Sequence, residues 1–576
     1  MPFKMPSRPS KEVIVIPYSG ERPSCVGIAY IAPLQSVSTY IAPPAKPKRQ
    51  AKNPFSDDSD ADTLVGDEEE DDMRAAVRNS DLADGFVRPV TPNQGDNHNP
   101  WSSYWDLPRD HPVFLLSDET REKLMKKGVD PVMRAKYDKS RGKLGNQKKG
   151  FFTSPANAFN QDVLEFNLGG LNTTGRISED CLTLSVWAPT SPSHRPRGTD
   201  RHRRGWPVII FSYGGGFSTG GQDIPYQIPT QWVERTQDHI VLVPNFRSNI
   251  FGYPSAPGLL QQNLGTLDIR TVVEWAKRNI AAFGGDPEHM ILWGQSSGSM
   301  SIDWYTFGFY DDPIVTGVIE DSGTGFTGGF TRPESDTSNF TYVAENVGCA
   351  GYGEDSTGLL ACMRKADALV INDFVEKVQR AGQLVFYFVP VVDEQLQFAN
   401  ITERALQGKQ AKIPAIIGTN LQDGLAFVQP YSADNPDYAT GAIYDDLLFF
   451  CPATQSTALR DRTGQQTYRF MYAGNFTNVS PRFWLGAYHG SEQPLIFGTH
   501  PNYRGNSSHL EYETSAAMQD AWVAFARDGA AGLKAMGWKE HNVGQANIRE
   551  FGAGVPARDI SLAEREAKCL ATPAAG

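Results

Sequence analysis

The chain has 576 residues, of which 40% are hydrophobic and 11% aromatic, and a formal net charge of −12. That is ample material for a buried core, and the acidic balance argues against nucleic acid as a partner. No apolar run approaches the roughly 20 residues that cross a bilayer as a helix, so a transmembrane segment is not expected.

The N-terminal residues lack the apolar stretch of about 7–15 residues that marks a secretion signal. Residues 1–43 are expected to supply an N-terminal strand segment of the main domain. Residues 44–150 change character, with acids clustered from Asp57 to Asp72 and a basic run from Arg121 to Lys149. Weak apolar periodicity there predicts a disordered or atypical insertion. Residues 151–576 are left as the main domain.

From about residue 176 short β-branched or apolar runs recur: Thr183–Trp187, Pro207–Phe211, Ile240–Val243, Met290–Trp293, Val315–Ile319 and Ile413–Ile417. Helix-compatible segments lie between several of them. In TLDIRTVVEWAKRNIAAF, Leu267, Val272, Ala276 and Ile280 fall on one helical face. The run Leu384–Val392 (LVFYFVPVV) is expected to be a buried strand. Strands alternating with helices predict an α/β fold, with a mostly parallel sheet covered by helices on both faces.

Two stretches fit G-x-S-x-G: GFSTG at Gly216–Gly220 and GQSSG at Gly294–Gly298. A nucleophile elbow needs a strand, a tight turn and then a helix. Glycine and proline residues in TGGQDIPYQIP follow Ser218 and forbid an immediate helix, whereas SGSMSIDWYTFGF after Ser296 can start one. Ser296 is therefore the candidate nucleophile. The other copy belongs to FSYGGGFSTGG, a glycine-rich loop after a strand and about eighty residues before the elbow. An α/β-hydrolase places its oxyanion loop there.

A serine hydroxyl needs a base, and the base needs an oriented acid. Asp423 in IIGTNLQDGLAF closely follows a predicted strand, with Asp393 and Glu394 as competitors. Four histidines follow it, His489, His500, His509 and His541, and the glycine-flanked loop LGAYHGSEQPLIFG favours His489.

These motifs together resemble the type-B carboxylesterase family of α/β-hydrolases, which includes cholinesterases and fungal lipases. SEDCLTLSVWAP (Ser178–Pro189), YGGGF (Tyr213–Phe217), NLGTLDIRTVVEWAKRNIAAFGGDP (Asn263–Pro287), GQSSGS, GTNLQDG and GAYHGSEQPLIFG match the family's blocks in order. The wording of FGGDPEHMILWGQSSG is most like fungal members. The resemblance implies a serine carboxylesterase with Ser296 as nucleophile, Asp423 as orienting acid and His489 as base. Gly215, Gly216 and the amide of Ser297 are implied as oxyanion donors, and no metal or organic cofactor is implied. A small ester or lipid is the implied substrate. The alternatives are a triacylglycerol lipase of the same family, a non-catalytic cholinesterase-like binding protein and, more remotely, a serine peptidase.

Three departures stand out. The family's acid is usually Glu, so the shorter Asp423 requires its loop to sit closer to His489. Gln295 replaces the usual Glu before the nucleophile and removes a charge. The family's cysteine shortly before SEDC is absent, which leaves Cys181 with only the distant Cys25 upstream. Six cysteines are consistent with a few disulfides in a secreted protein or with none in a cytosolic one, and sequons at Asn172, Asn339, Asn400, Asn475, Asn478 and Asn506 favour a secreted glycoprotein. A Cys349–Cys362 bridge is expected to close a short polar loop.

Overall fold

The computed structural model describes residues 179–189, 205–380, 388–428, 437–480, 483–502 and 505–571. The expected strand segment at 1–43, the insertion at 44–150 and the sequon at Asn172 lie outside these residues.

Among the described residues, nine strands form one sheet: β1 (Leu184–Trp187), β2 (Trp206–Ser212), β3 (Ile240–Pro244), β4 (Gly285–Gln295), β5 (Gly317–Asp321), β8 (Ala415–Asn420), β9 (Thr467–Tyr472), β10 (Asn547–Phe551) and β11 (Ala557–Ser561). Their spatial order is β1-β3-β2-β4-β5-β8-β9-β10-β11. The pairs β1–β3 and β10–β11 are antiparallel and every other pair is parallel. Every residue of β2, β3, β8 and β9 is buried, as expected of strands covered on both faces. The helices include α1 (Thr230–Thr236), α2 (Leu264–Asn279), α3 (Ser297–Gly308), α4 (Tyr438–Tyr444), α5 (Cys451–Arg462), α6 (His509–Asp528) and α7 (Ala563–Ala571). Under the sheet the rings of Phe211, Trp293 and Phe497 pack with centroids 4.4 and 5.0 Å apart. Trp232 and Trp522 extend this aromatic layer edge-on.

The predicted strands are present with shifted ends, and β4 begins five residues earlier than its apolar run. Helix α2 is present, but its face differs from the expected one. Ile269, Val272, Val273, Ala276 and Ile280 are buried, whereas Leu267 is only half-buried. The run Leu384–Val392 is not a strand along its described part. Only Val391–Val392 (β7) pairs, in parallel with Arg332–Pro333 (β6). Pro390 breaks the run, since it has no N–H to give a ladder.

Among the described residues, two disulfides are formed. Cys349–Cys362 is the expected one, and Cys451–Cys569 ties α7 to the start of α5. Cys181 takes part in neither bridge.

Register brings the site together. Ser212 lies opposite Gly294, Gln295 opposite Asp321, and Asp321 opposite Gly418. The carboxyl ends of β2, β4, β5 and β8 therefore finish side by side, the edge at which open parallel sheets hold ligands.

Candidate active site

Ser296 sits between β4 and α3 with φ 57° and ψ −128°, a conformation that L-residues rarely adopt. Its amide donates to the Asp321 carbonyl at 2.8 Å, and its carbonyl accepts from Met300 N–H at 3.0 Å. The flanking glycines are steric requirements. A Cβ on Gly294 would come 2.6 Å from the Gly298 carbonyl, and one on Gly298 would collide with the Ser212 and Tyr213 carbonyls. Helix α3 follows at once, so its amide end faces the serine. Ser218 has no such setting: it lies in a turn, its hydroxyl donating to the Gly216 carbonyl at 3.2 Å, and the next helical turn is the short segment Pro225–Gln227.

The glycine-rich loop touches the elbow directly. A Cβ on Gly214 would lie 2.7 Å from the Ser296 Cβ. Gly215 (φ 127°) and Gly216 (φ 61°) use backbone conformations that favour glycine, and the Gly215 carbonyl accepts from the Ser218 and Thr219 amides at 3.1 Å. Ser297, the third expected oxyanion donor, is the first residue of α3 and is buried. Phe217, also at positive φ, stacks on Trp304 with centroids 5.8 Å apart and packs edge-on to Tyr253 at 5.3 Å.

His489 Nδ1 meets Asp423 Oδ1 at 2.8 Å. The other oxygen, Oδ2, accepts from the Asn420 amide at 2.6 Å and from the Ser322 hydroxyl at 2.9 Å. On the far side of the ring, Nε2 lies 3.3 Å from Nε2 of Gln295, the residue before Ser296. These partners select the tautomer with the proton on Nδ1 and a lone pair on Nε2. The rings of Phe427 and Phe449 flank the imidazole at 5.2 and 4.8 Å.

The acid and base loops are joined to each other. Gln422 N–H donates to the Ala487 carbonyl at 3.1 Å, the Gln422 side-chain oxygen accepts the Ala487 amide at 2.8 Å, and Asn420 Nδ2 donates to the Tyr488 carbonyl at 2.9 Å. Behind them lie two more buried carboxyls, Asp321 and Glu492. Gln493 Nε2 donates to both, at 3.1 and 2.6 Å, and Asn420 Nδ2 also reaches Glu492. Burial raises the pKa of both acids; neighbouring Glu492 and Asp423 push Asp321 further, and Asp423 does the same to Glu492.

The competing candidates are occupied elsewhere. Asp393 Oδ1 accepts the amides of Gln395, Leu396 and Gln397 in a turn, and Glu394 accepts the Ala399 amide. His500 pairs with Ser507 at 2.6 Å, exposed His509 faces Glu513, and buried His541 faces Glu566. Sequence reasoning missed Ser322 and Phe449, which reach the site from separate elements and carry no local motif, and Asn420 and Glu492, which lie within the GTNLQDG and GAYHGSEQPLIFG blocks but show no role there without their contacts. Among the described residues, the side chains spaced for a cation are Asp446, Cys451 and Cys569, and both sulfurs are committed to the disulfide.

The sequence model described as "Carboxylesterase family" matches residues 147–438 and 431–553. The chain is 42% identical over 363 residues to a chlorogenic acid esterase of Aspergillus niger, an alignment covering 63% of this chain and 69% of that protein. It is 38% identical over 383 residues to secreted lipase 5 of Gibberella zeae, covering 63% and 70%. The mouse cholinesterase is 25% identical over 414 residues, covering 62% and 66%.

Proposed function

Given that the chain belongs to the carboxylesterase family of α/β-hydrolases and is a carboxylic ester hydrolase, we propose that it works through an acyl-enzyme on Ser296, with His489 as general base and Asp423 as its orienting acid. The observation that carries this reading is the 2.8 Å contact between Asp423 Oδ1 and His489 Nδ1, with Nε2 turned toward the elbow.

Ser296 Oγ attacks the ester carbonyl while its proton passes to His489 Nε2. Asp423 holds the Nδ1 proton and stabilises the imidazolium that forms. The carbonyl oxygen becomes an oxyanion, received by the amides of Gly215, Gly216 and Ser297. Collapse of the tetrahedral intermediate breaks the ester C–O bond, and His489 returns its proton to the departing alcohol. Water then repeats the sequence and frees the acid and Ser296. The partner is a small ester; the name of the Aspergillus niger relative makes chlorogenic acid the natural ester to assay first.

The protein acts outside the cell in this reading. Two disulfides and the exposed sequon residues Asn400 and Asn506 support that, whereas Asn478 is buried, with its amide bonded to the His500 carbonyl and Ser507, and is not a glycan acceptor. No helix of the described residues is long and apolar enough to cross a membrane.

The test is turnover of a short-chain p-nitrophenyl ester and of chlorogenic acid by the wild type and Ser296→Ala, with mass mapping of a fluorophosphonate adduct. Label on Ser218, or a fully active Ser296→Ala enzyme, defeats the assignment.

A further inference from the structure

The proposed mechanism gives no role to Asp445, a buried acid beside the Asp423 loop. Asp445 opens a π-helical turn, Asp445–Phe450, between α4 and α5, and such turns within helices recur at functional sites. Its Oδ1 accepts the Gly424 N–H at 2.5 Å, one residue after Asp423. The main chains meet there too: a Cβ on Gly424 would lie 2.5 Å from the Gly441 carbonyl oxygen and 2.6 Å from the Tyr444 carbonyl carbon. The same π turn presents Phe449, whose ring packs 4.8 Å from that of His489. One turn therefore holds the acid loop by its backbone and the imidazole by its face.

Resting on the Ser296–His489–Asp423 reading, we infer that Asp445 is a positioning residue that fixes the acid loop at the distance from which an aspartate can reach His489. An aspartate carboxyl stands one methylene closer to its backbone than a glutamate carboxyl. Loop placement, not side-chain reach, then sets the Asp423–His489 contact. The Gly424 tether is the anchor next to the acid itself, and the close backbone packing leaves the loop no room to relax toward α4.

The charged groups facing Asp445 are Asp423 on the acid loop, Asp446 on its own turn and Arg565 on α7. Burial pushes the Asp445 carboxyl up to about 7; the Gly424 N–H bond acts against that rise, and the Asp423 charge adds to it. Near neutrality Asp445 thus changes charge beside the Asp423–His489 pair, and its titration adds a limb to the pH profile of kcat/KM.

The test uses the full chain with Asp445→Ala, Asp445→Asn, Asp423→Ala and the Asp445→Ala/Asp423→Ala double variant, assayed on a p-nitrophenyl ester. Asp445→Ala is expected to lower kcat by roughly 10- to 100-fold through a displaced acid, with little change in KM. Asp445→Asn keeps an acceptor for Gly424, so it retains most of kcat and loses the limb near neutrality. In the Asp423→Ala background the Asp445→Ala change costs nothing more, because no carboxyl is left to position. Wild-type kcat in Asp445→Ala, or an equal cost in both backgrounds, overturns the inference. If Asp445→Ala does not fold, the Asn variant decides: it keeps the acceptor for Gly424, and a kcat as low as that of Asp423→Ala overturns the inference. A fully active Asp423→Ala enzyme instead removes the catalytic reading itself.

Discussion

Asp423 reaches His489 with one carboxylate oxygen at 2.8 Å while the Asn420 amide and the Ser322 hydroxyl hold the other. In the proposed mechanism the acid's task is to fix the imidazole's tautomer. Asp423→Asn places an amide where the ring needs an acceptor, and turning the amide over instead presents NH₂ to Asn420 and Ser322. Its kcat is expected to fall by about 10⁴-fold, measured on the p-nitrophenyl ester. A loss under tenfold would show that the contact does not orient the base.

Ser322→Ala removes one of the two partners on the far oxygen. Asp423 is fully buried, so water does not replace the lost donor. A buried acceptor losing a partner costs about 1–3 kcal/mol, and the carboxyl gains freedom to turn away from His489. The expected result is a fall of roughly tenfold in kcat with KM unchanged, visible as slower acylation in a stopped-flow burst. Ser322→Thr, which keeps the hydroxyl, is expected to recover part of it.

Gln295 stands against His489 Nε2 without a charge. In Gln295→Glu a carboxylate faces the same nitrogen and favours the imidazolium. The acidic limb of the kcat/KM profile is then expected to move to higher pH, so that activity at mildly acidic pH falls while alkaline activity is kept. A profile that does not move would place the side chain away from Nε2 in solution.

Much of this site is legible in the sequence, and what is not has a physical pattern. The elbow and the oxyanion loop announce themselves because Gly294, Gly298 and Gly214 are needed by local backbone contacts, so their reasons lie within a few residues of Ser296 or in one adjacent loop. The loops around Asp423 and His489 single these residues out as candidates. Ser322 is invisible by comparison: its bond to Asp423 spans 101 positions and depends on β5 and β8 being neighbours. The Cys451–Cys569 bridge spans 118 positions, with no spacing rule to suggest it. Leu384–Val392 misled because hydrophobic runs are buried whether or not they pair. Phe388, Val389 and Val391 are buried, yet only the last of these pairs in a strand. A sequon states chemistry, not exposure, which is why buried Asn478 matches it.

The two buried carboxyls behind the acid make a pH prediction. Asp321 and Glu492 have native pKa values raised chiefly by burial. The folded chain therefore keeps protons that the unfolded chain releases near the ordinary carboxylate range, about pH 4. Their stabilisation is complete below that range and is lost as pH rises toward the raised native values. Tm is expected to fall on going from about pH 5 to 8, and Asp321→Asn, which stays neutral, should flatten the slope. A Tm that rises across that window, or an identical slope in the variant, contradicts the assignment.

The disulfide Cys451–Cys569 links α7 to the first residue of α5. Cys451 directly follows the π turn that carries Asp445 and Phe449, and Cys569 lies on α7, which is also tied down by Arg565 to Asp446 and by Glu566 to His541 and Arg469. Removing a native cross-link of this span is expected to cost about 2–5 kcal/mol. The loss should not be confined to stability, because the freed end of the π turn is the one whose Phe449 ring faces His489. Cys451→Ser/Cys569→Ser is therefore expected to lose Tm and, at temperatures where it remains folded by circular dichroism, to show lower kcat with nearly unchanged KM. The Cys349→Ser/Cys362→Ser variant is the control: its loop packs in a separate cluster with Phe340, Leu359 and Val375, so it should lose stability alone. Equal loss of kcat in both double variants would mean that the π turn holds its place without the cross-link.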